Sequence, residues 1–283
     1  MTETSKTEAT KSAATGAGRH QRHEIEIAAD AESVWKAVSE AEELTRWFVE
    51  DAEVEPGEGG KQKIDWGQGV AMEATHLIWR PGQHLRVGHP DGAERGGWDA
   101  VVVDFEIEPG DEGRTKLRIV QSNLPQGEEW DGAYDGTEVG WRMFARSLKF
   151  YLERHAGEPR RTIHRYGNLE LPRAEAWTHL TGAGLLASEG SLAETPEGGR
   201  FAVTAANGER LEGEVLLNVP ERNFTMTIES DGYGDALLAF DLIPSKKGSY
   251  ANFILGTFGL DSAAYEKLHA KWFPTLEKLL STG

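Results

Sequence analysis

The chain has 283 residues, 39% hydrophobic and 27% charged, the make-up of a folded protein long enough for two domains. A formal net charge of −17 speaks against nucleic acid and against anionic membrane surfaces as partners, because both are held by clustered Lys and Arg. There is no cysteine, which removes disulfides, thiol catalysis and thiolate metal sites and fits a cytoplasmic protein.

Residues 1–19 are polar and small, and predict a disordered tail with neither a signal peptide nor a membrane span. Order begins where Glu24, Ile25, Glu26 and Ile27 alternate as a half-buried strand. Asp30 then caps a helix carrying Val34, Trp35 and Val38 on one side. A second short helical piece ends in the pair Trp47 and Phe48. Strand-like runs separated by turns such as RPGQ and EPGDEG follow, about six antiparallel strands in all. In one of them Val101, Val103, Phe105 and Ile107 face one way, and Asp104, Glu106 and Glu108 face the solvent. The period then changes: Trp141, Phe144, Leu148 and Tyr151 mark one face of a long helix that Gly157 and Pro159 stop.

The second half repeats this order loosely. A strand over TIHRYGNLEL leads to a short helix opened by Pro172, then five more strands, then a last helix from Asp261. Tyr265, Leu268, Trp272, Leu276 and Leu279 form the stripe of that helix, and Pro274 inside it should bend it. The apolar face of a sheet and the stripe of a long helix are both buried when the helix lies across a curved antiparallel sheet, an α+β arrangement. A strongly curled sheet leaves a cavity under the helix. The units are placed at 20–157 and 160–283, meeting near the segment HAGEPRR.

Two stretches carry a family likeness: IEIAADAESVWKAVSEAEELTRWF over 25–48 and EEWDGAYDGTEVGWRMFARSLKFYLE over 128–153, with a strand-rich middle between them. Residues 22–156 resemble the START-like (SRPBCC) helix-grip superfamily, in the branch of the Activator of Hsp90 ATPase homologue 1-like proteins (AHSA1). The second half looks like a diverged second copy. The resemblance implies two tandem helix-grip domains, each a curved sheet gripping a long C-terminal helix. It further implies a cavity that binds a small apolar ligand without established catalysis. The alternatives are a protein-binding or chaperone-related regulatory module with a protein partner, or a cyclase or hydrolase.

The cavity is expected in the first unit, walled by Trp47, Phe48, Met72, His76, Tyr134, Trp141, Phe144 and Leu148. Trp47 and Phe48 point about 100° apart on a helical turn, so either can plug the core while the other walls the cavity. Alternation groups Met72 with His76 and turns Trp79 outward unless a bulge intervenes. His76 is the one titratable group offered for chemistry, and no catalytic residue is assigned. His76, His84 and His89 do not have metal-ligand spacing, and the sequence implies neither metal nor cofactor. The acidic first unit, with 31 Asp and Glu against 18 Lys and Arg over residues 1–159, favours neutral or cationic ligands.

Overall fold

The alternating segment Arg19–Ile27 forms strand β1, and Asp30 caps the helix that follows by accepting a hydrogen bond from the Ser33 N–H at 2.7 Å. The computed structural model describes residues 18–67, 69–182, 192–205, 207–245 and 248–281. The expected tail up to residue 17 lies outside them, and Arg19 already belongs to β1. Helices α1 (Ala31–Ser39) and α2 (Ala41–Thr45) precede β2 (Asp51–Val54), β3 (Lys61–Asp65), β4 (Ala71–Arg80) and β5 (His84–Gly88). The one-turn α3 (Gly92–Arg95) leads to β6 (Val102–Pro109), β7 (Thr115–Leu124) and the long α4 (Asp131–Arg154). The seven strands form one antiparallel sheet in the order β1-β7-β6-β5-β4-β3-β2. The short acidic edge strand β2 was not expected from its sequence, DAEV, which has too little apolar character to announce a strand.

The second sheet has the same plan. It comprises β8 (Arg161–Leu169), α5 (Arg173–Thr181), β9 (Arg200–Thr204), β10 (Arg210–Val219), β11 (Asn223–Ile228), β12 (Asp235–Ser245), β13 (Gly248–Phe258) and α6 (Ser262–Ser281). Its order is β8-β13-β12-β11-β10-β9. In both sheets the first strand pairs with the last, and a long helix follows. The protein is therefore an α+β chain of two tandem helix-grip domains. α6 runs on through Pro274. No helix among the described residues is long and apolar enough to cross a membrane.

One correction concerns the outer face of the first sheet. Asp104 is not solvated: it is buried and accepts from Arg86 Nε at 2.7 Å, with His84 Nε2 at 2.6 Å. Cross-strand neighbours on β5 cover it, as opposite charges facing each other on adjacent strands do.

The domains meet along α4. The side of that helix facing away from the first sheet places Met143 against Leu217 and Ala239 of the second sheet. β12 is consequently buried on both faces. Ala236, Leu238, Phe240 and Leu242 enter the core of the second domain, while Leu237 joins the core of the first. Phe258 packs there too, with the His155 ring stacked on it at 4.3 Å. From the connecting segment, the guanidinium of Arg160 donates to the carbonyls of Trp47 at 2.9 Å and Val49 at 2.7 Å. Burial pushes its pKa down to about 10, still well above neutrality.

With α4 shared, the two sheets are expected to unfold together. Calorimetry and denaturant titration should show one transition, and Phe258→Ala should lower the stability of the whole chain by about 3–5 kcal/mol. Two separated transitions, with only the later one moved by this substitution, would show that the sheets fold independently.

Candidate functional site

The first sheet curls away from the N-terminal half of α4 and leaves a cavity of about 360 Å³. The sheet supplies Gln62 and Ile64 from β3, Met72 and Ala74 from β4, Val87 from β5, Val103 and Phe105 from β6, and Gln121 from β7. The helix supplies Gly136, Thr137, Gly140, Trp141 and Phe144, and Phe48 with Trp66 closes the inner end. Glu73, His89, Trp98 and Val101 also line it. Among the described residues no Lys or Arg lines it.

Space under the helix has a local cause. A Cβ built on Gly136 or Gly140 would meet nothing within 4 Å. The glycines are one turn apart and leave open the volume that side chains there would fill. Each disfavours an interior helical position by about 1 kcal/mol relative to alanine. Beyond them the same stripe continues into solid packing, where Leu148 and Tyr151 are fully buried.

Of the residues singled out in the sequence, Phe48, Met72, Trp141 and Phe144 line this cavity together. Trp47 does not. It is buried in the core with its indole N–H donating to the Ala37 carbonyl at 2.8 Å, and its ring stacks on Phe48 at 4.9 Å. The two aromatics thus divide the roles of plug and wall, because adjacent helical positions face different directions. Leu148 lies too far along α4 to reach the cavity. Tyr134 sits on the β1 side of the helix, under the Arg19 guanidinium, with its hydroxyl on the His20 carbonyl at 3.2 Å.

His76 shares the inward face of β4 with Met72 and Ala74 but lies beyond the cavity. Its ring is buried, with Nδ1 3.2 Å from the Gly57 carbonyl and Trp79 packed on it at 4.6 Å. The register explains the Trp79 contact. His76 faces Val87 and Ile78 faces Arg86, so one extra residue, Leu77, bulges out of β4. The bulge reverses the alternation and turns Trp79 inward beside Leu85, edge-on to Trp35 at 5.1 Å. Among the described residues no group of three or more His, Asp or Glu is placed to hold a metal ion.

Sequence reasoning overlooked Gln62, Gln121, Gly136, Gly140 and Phe105 as lining. The signal was present: Gln121 follows Leu117 and Ile119 on the buried face of β7, and a polar residue on an apolar face asks for a reason. At the rim, Trp98 is 37% exposed and stacks on Trp130 at 6.4 Å with planes 15° apart. Val70 and Met72 are also exposed.

Residues 28–153 match the family model described as Activator of Hsp90 ATPase homolog 1-like protein. Among solved structures, a protein from Mesorhizobium loti is 26% identical over 48% of this chain and 98% of its own, with a TM-score of 0.41. The Aha1 dimer from Colwellia psychrerythraea is 22% identical, covering 49% of this chain and 99% of that one, TM-score 0.42. The di-domain ARO/CYC BexL from the BE-7585A biosynthetic pathway is 15% identical, covering 93% and 96%, TM-score 0.40. No curated protein matches the chain.

Burial holds the His76 imidazole below its ordinary pKa. The unfolded chain then takes up a proton that the folded one refuses. The contribution is complete above the unfolded value of about 6.5 and is lost as pH falls through it. Between about pH 7.5 and pH 5, His76→Gln should therefore lose less stability in urea titrations than the parent. A steeper acid loss in the variant would contradict a neutral buried imidazole.

Proposed function

Starting from a first domain of the Activator of Hsp90 ATPase homolog 1-like family, we propose that this chain binds a small, uncharged, largely apolar ligand in the cavity of that domain. The observation that carries the reading is the cavity itself, open to solvent at the rim formed by Met72 and Trp98. Two glycines hold it open at a cost to the helix, and aromatic and aliphatic side chains line it. Burying apolar ligand surface there supplies roughly 25 cal/mol per Å² before ordering costs. Among the described residues the lining has no Lys or Arg to receive a carboxylate or phosphate. The site residues in this proposal are Phe48, Met72, Trp141 and Phe144, joined by Trp66, Phe105 and Gln121. We take 20–157 and 160–283 as the two domains, the second being the support on which α4 rests.

A second reading has one observation in its favour. Val70, Met72 and Trp98 are exposed on the first domain, and exposed apolar side chains also suit a protein partner. Native mass spectrometry separates the two readings: a reproducible small adduct, extractable by solvent, supports the ligand, and a stoichiometric polypeptide with an empty cavity supports the partner.

Gly140→Leu tests the cavity directly. The Cβ of a leucine there meets nothing within 4 Å and its branch enters the cavity, so the variant should lose the adduct while its melting temperature rises, in line with about 1 kcal/mol of helix propensity gained. An undiminished adduct in a folded variant would remove the cavity from consideration.

A further inference from the structure

We infer that the seam between the two domains binds one monatomic anion, chloride in ordinary solution, in a small cavity walled by Arg160 and Trp66. The site is separate from the ligand cavity and does not rest on the ligand-binding reading.

The cavity has a volume of about 30 Å³ and lies between the inner end of the first domain and the second sheet. Phe48 and Trp66 form one side, Met143 and Ser147 come from α4, and Ile254 and Gly256 come from β13. A single water-sized guest needs roughly 10–15 Å³ of such space, so an atom-sized ion fits and an organic molecule does not. Glu50 also lines the cavity and is exposed, which gives an ion a way in from the surface.

Arg160 is the informative residue. Its terminal nitrogens donate to the Trp47 and Val49 carbonyls, and its Nε is buried without a hydrogen-bond partner among the described residues. The side chain crosses Gly256, where a Cβ would lie 3.1 Å from Cδ, the atom to which Nε is bonded. Gly256 lines the cavity, so the free N–H sits beside it. Among the described residues no Asp or Glu oxygen comes within 4 Å of this guanidinium. The charge nevertheless persists at neutral pH, because burial brings the pKa down only to about 10, and exposed Glu50 acts on it from a distance. Carbonyl dipoles solvate a cation without cancelling its charge, and a buried charge is costly unless it is paired.

Trp66 supplies a second donor. Its indole N–H is likewise buried without a partner, and an indole N–H can only donate. Two further polar side chains on the lining are engaged. Ser147 Oγ donates to the Met143 carbonyl at 3.2 Å. His164 has Nδ1 3.1 Å from the Trp66 carbonyl and Nε2 2.6 Å from Asn252 Oδ1. One positive charge and two N–H donors are thus left over around one small space. A monatomic anion accepts from both donors and cancels the charge. A water accepts from both, leaves the charge as it is, and brings two more hydrogens into a largely apolar lining.

The test uses the full chain with sodium gluconate replaced by sodium chloride or sodium bromide at constant ionic strength. Diffraction at the bromine edge from crystals grown in bromide should show one anomalous peak within hydrogen-bonding distance of Arg160 Nε and Trp66 Nε1. Chloride should raise the melting temperature above that in gluconate by about 2–4 °C, the shift expected for a chain of this size when a ligand is in severalfold excess over its dissociation constant. Trp66→Phe keeps the ring and removes the N–H, and should lose at least half of that increment. Arg160→Met keeps the stem across Gly256 and should lose all of it. An ordered water without bromine signal, or the Glu50 carboxylate turned in onto Arg160, would overturn the inference. So would equal melting temperatures in the two salts, or the full increment in folded Trp66→Phe. The bromide map and the salt comparison are read on the parent, so a variant that fails to fold leaves the test decisive.

Discussion

Met143 and Phe144 are adjacent on α4, yet Met143 packs on Leu217 and Ala239 of the second sheet while Phe144 faces the cavity of the first domain. Successive helical positions turn by about 100°, so one helix of this length can serve two surfaces at once. The rest of the molecule follows from that double duty. The helix cannot be amphipathic in the ordinary way, because both its sides are claimed. Its buried residues, Val139, Met143, Ala145, Ser147, Leu148, Phe150, Tyr151 and Leu152, accordingly run around the cylinder rather than along one stripe. Polar side chains at the margins finish the contacts. Arg146 Nε reaches the Leu216 carbonyl at 3.1 Å, and Lys149 Nζ reaches the Glu26 carbonyl of edge strand β1 at 2.8 Å. Glu153 accepts from the Ala28 N–H at 2.7 Å, at the end of the same strand. A free strand edge is a liability, and here the helix covers part of it.

Clamped from behind, α4 can afford to be weak in front. A helix carrying Gly136 and Gly140 gives up about 2 kcal/mol of propensity in all, too much for a surface helix held by one face. The second sheet supplies the missing support, and the space the glycines leave stays open because the backbone on either side of it is fixed. The inner wall is fixed in the same way. Arg160 holds the carbonyls of Trp47 and Val49, which flank Phe48, and His164 Nδ1 lies 3.1 Å from the Trp66 carbonyl. Both aromatic residues that close the inner end of the cavity are thus tethered by the chain that begins the second domain.

Much of the fold was legible because periodicity reports burial. The stripe of Trp141, Phe144, Leu148 and Tyr151 and the strands around it announced a helix over a sheet. What periodicity could not report was where the stripe passes from cavity to core, since the same residue types line both. That boundary is set by Gly136 and Gly140, which read as breakers in a sequence and as empty volume only in three dimensions. Likewise, β4 looked regular until the bulge at Leu77 moved Trp79 to the inner face, and a bulge has no signature in the alternation preceding it. The segment DALLAFDLI was the clearest missed message. It lacks alternation because β12 is buried on both faces, and an uninterrupted apolar strand in an antiparallel sheet implies that something covers its back. Here that cover is α4.

The two domains share a topology and differ in how they fill it. On α4 the glycines face the sheet, whereas α6 sends in Leu268, Trp272 and Leu276, all buried. Across from them Phe224, Phe240 and Phe253 are fully buried, and Trp177 of α5 packs on Phe240 at 5.6 Å. Bulky rings occupy in the second domain the kind of space that stays open in the first. A hollow domain is the less stable partner, because its lining forgoes contacts that a packed core makes. Joining it to a filled copy of the same architecture, with the long helix between them, lets the filled copy carry the rigidity and the hollow one keep its cavity. On that argument duplication serves the cavity without duplicating it.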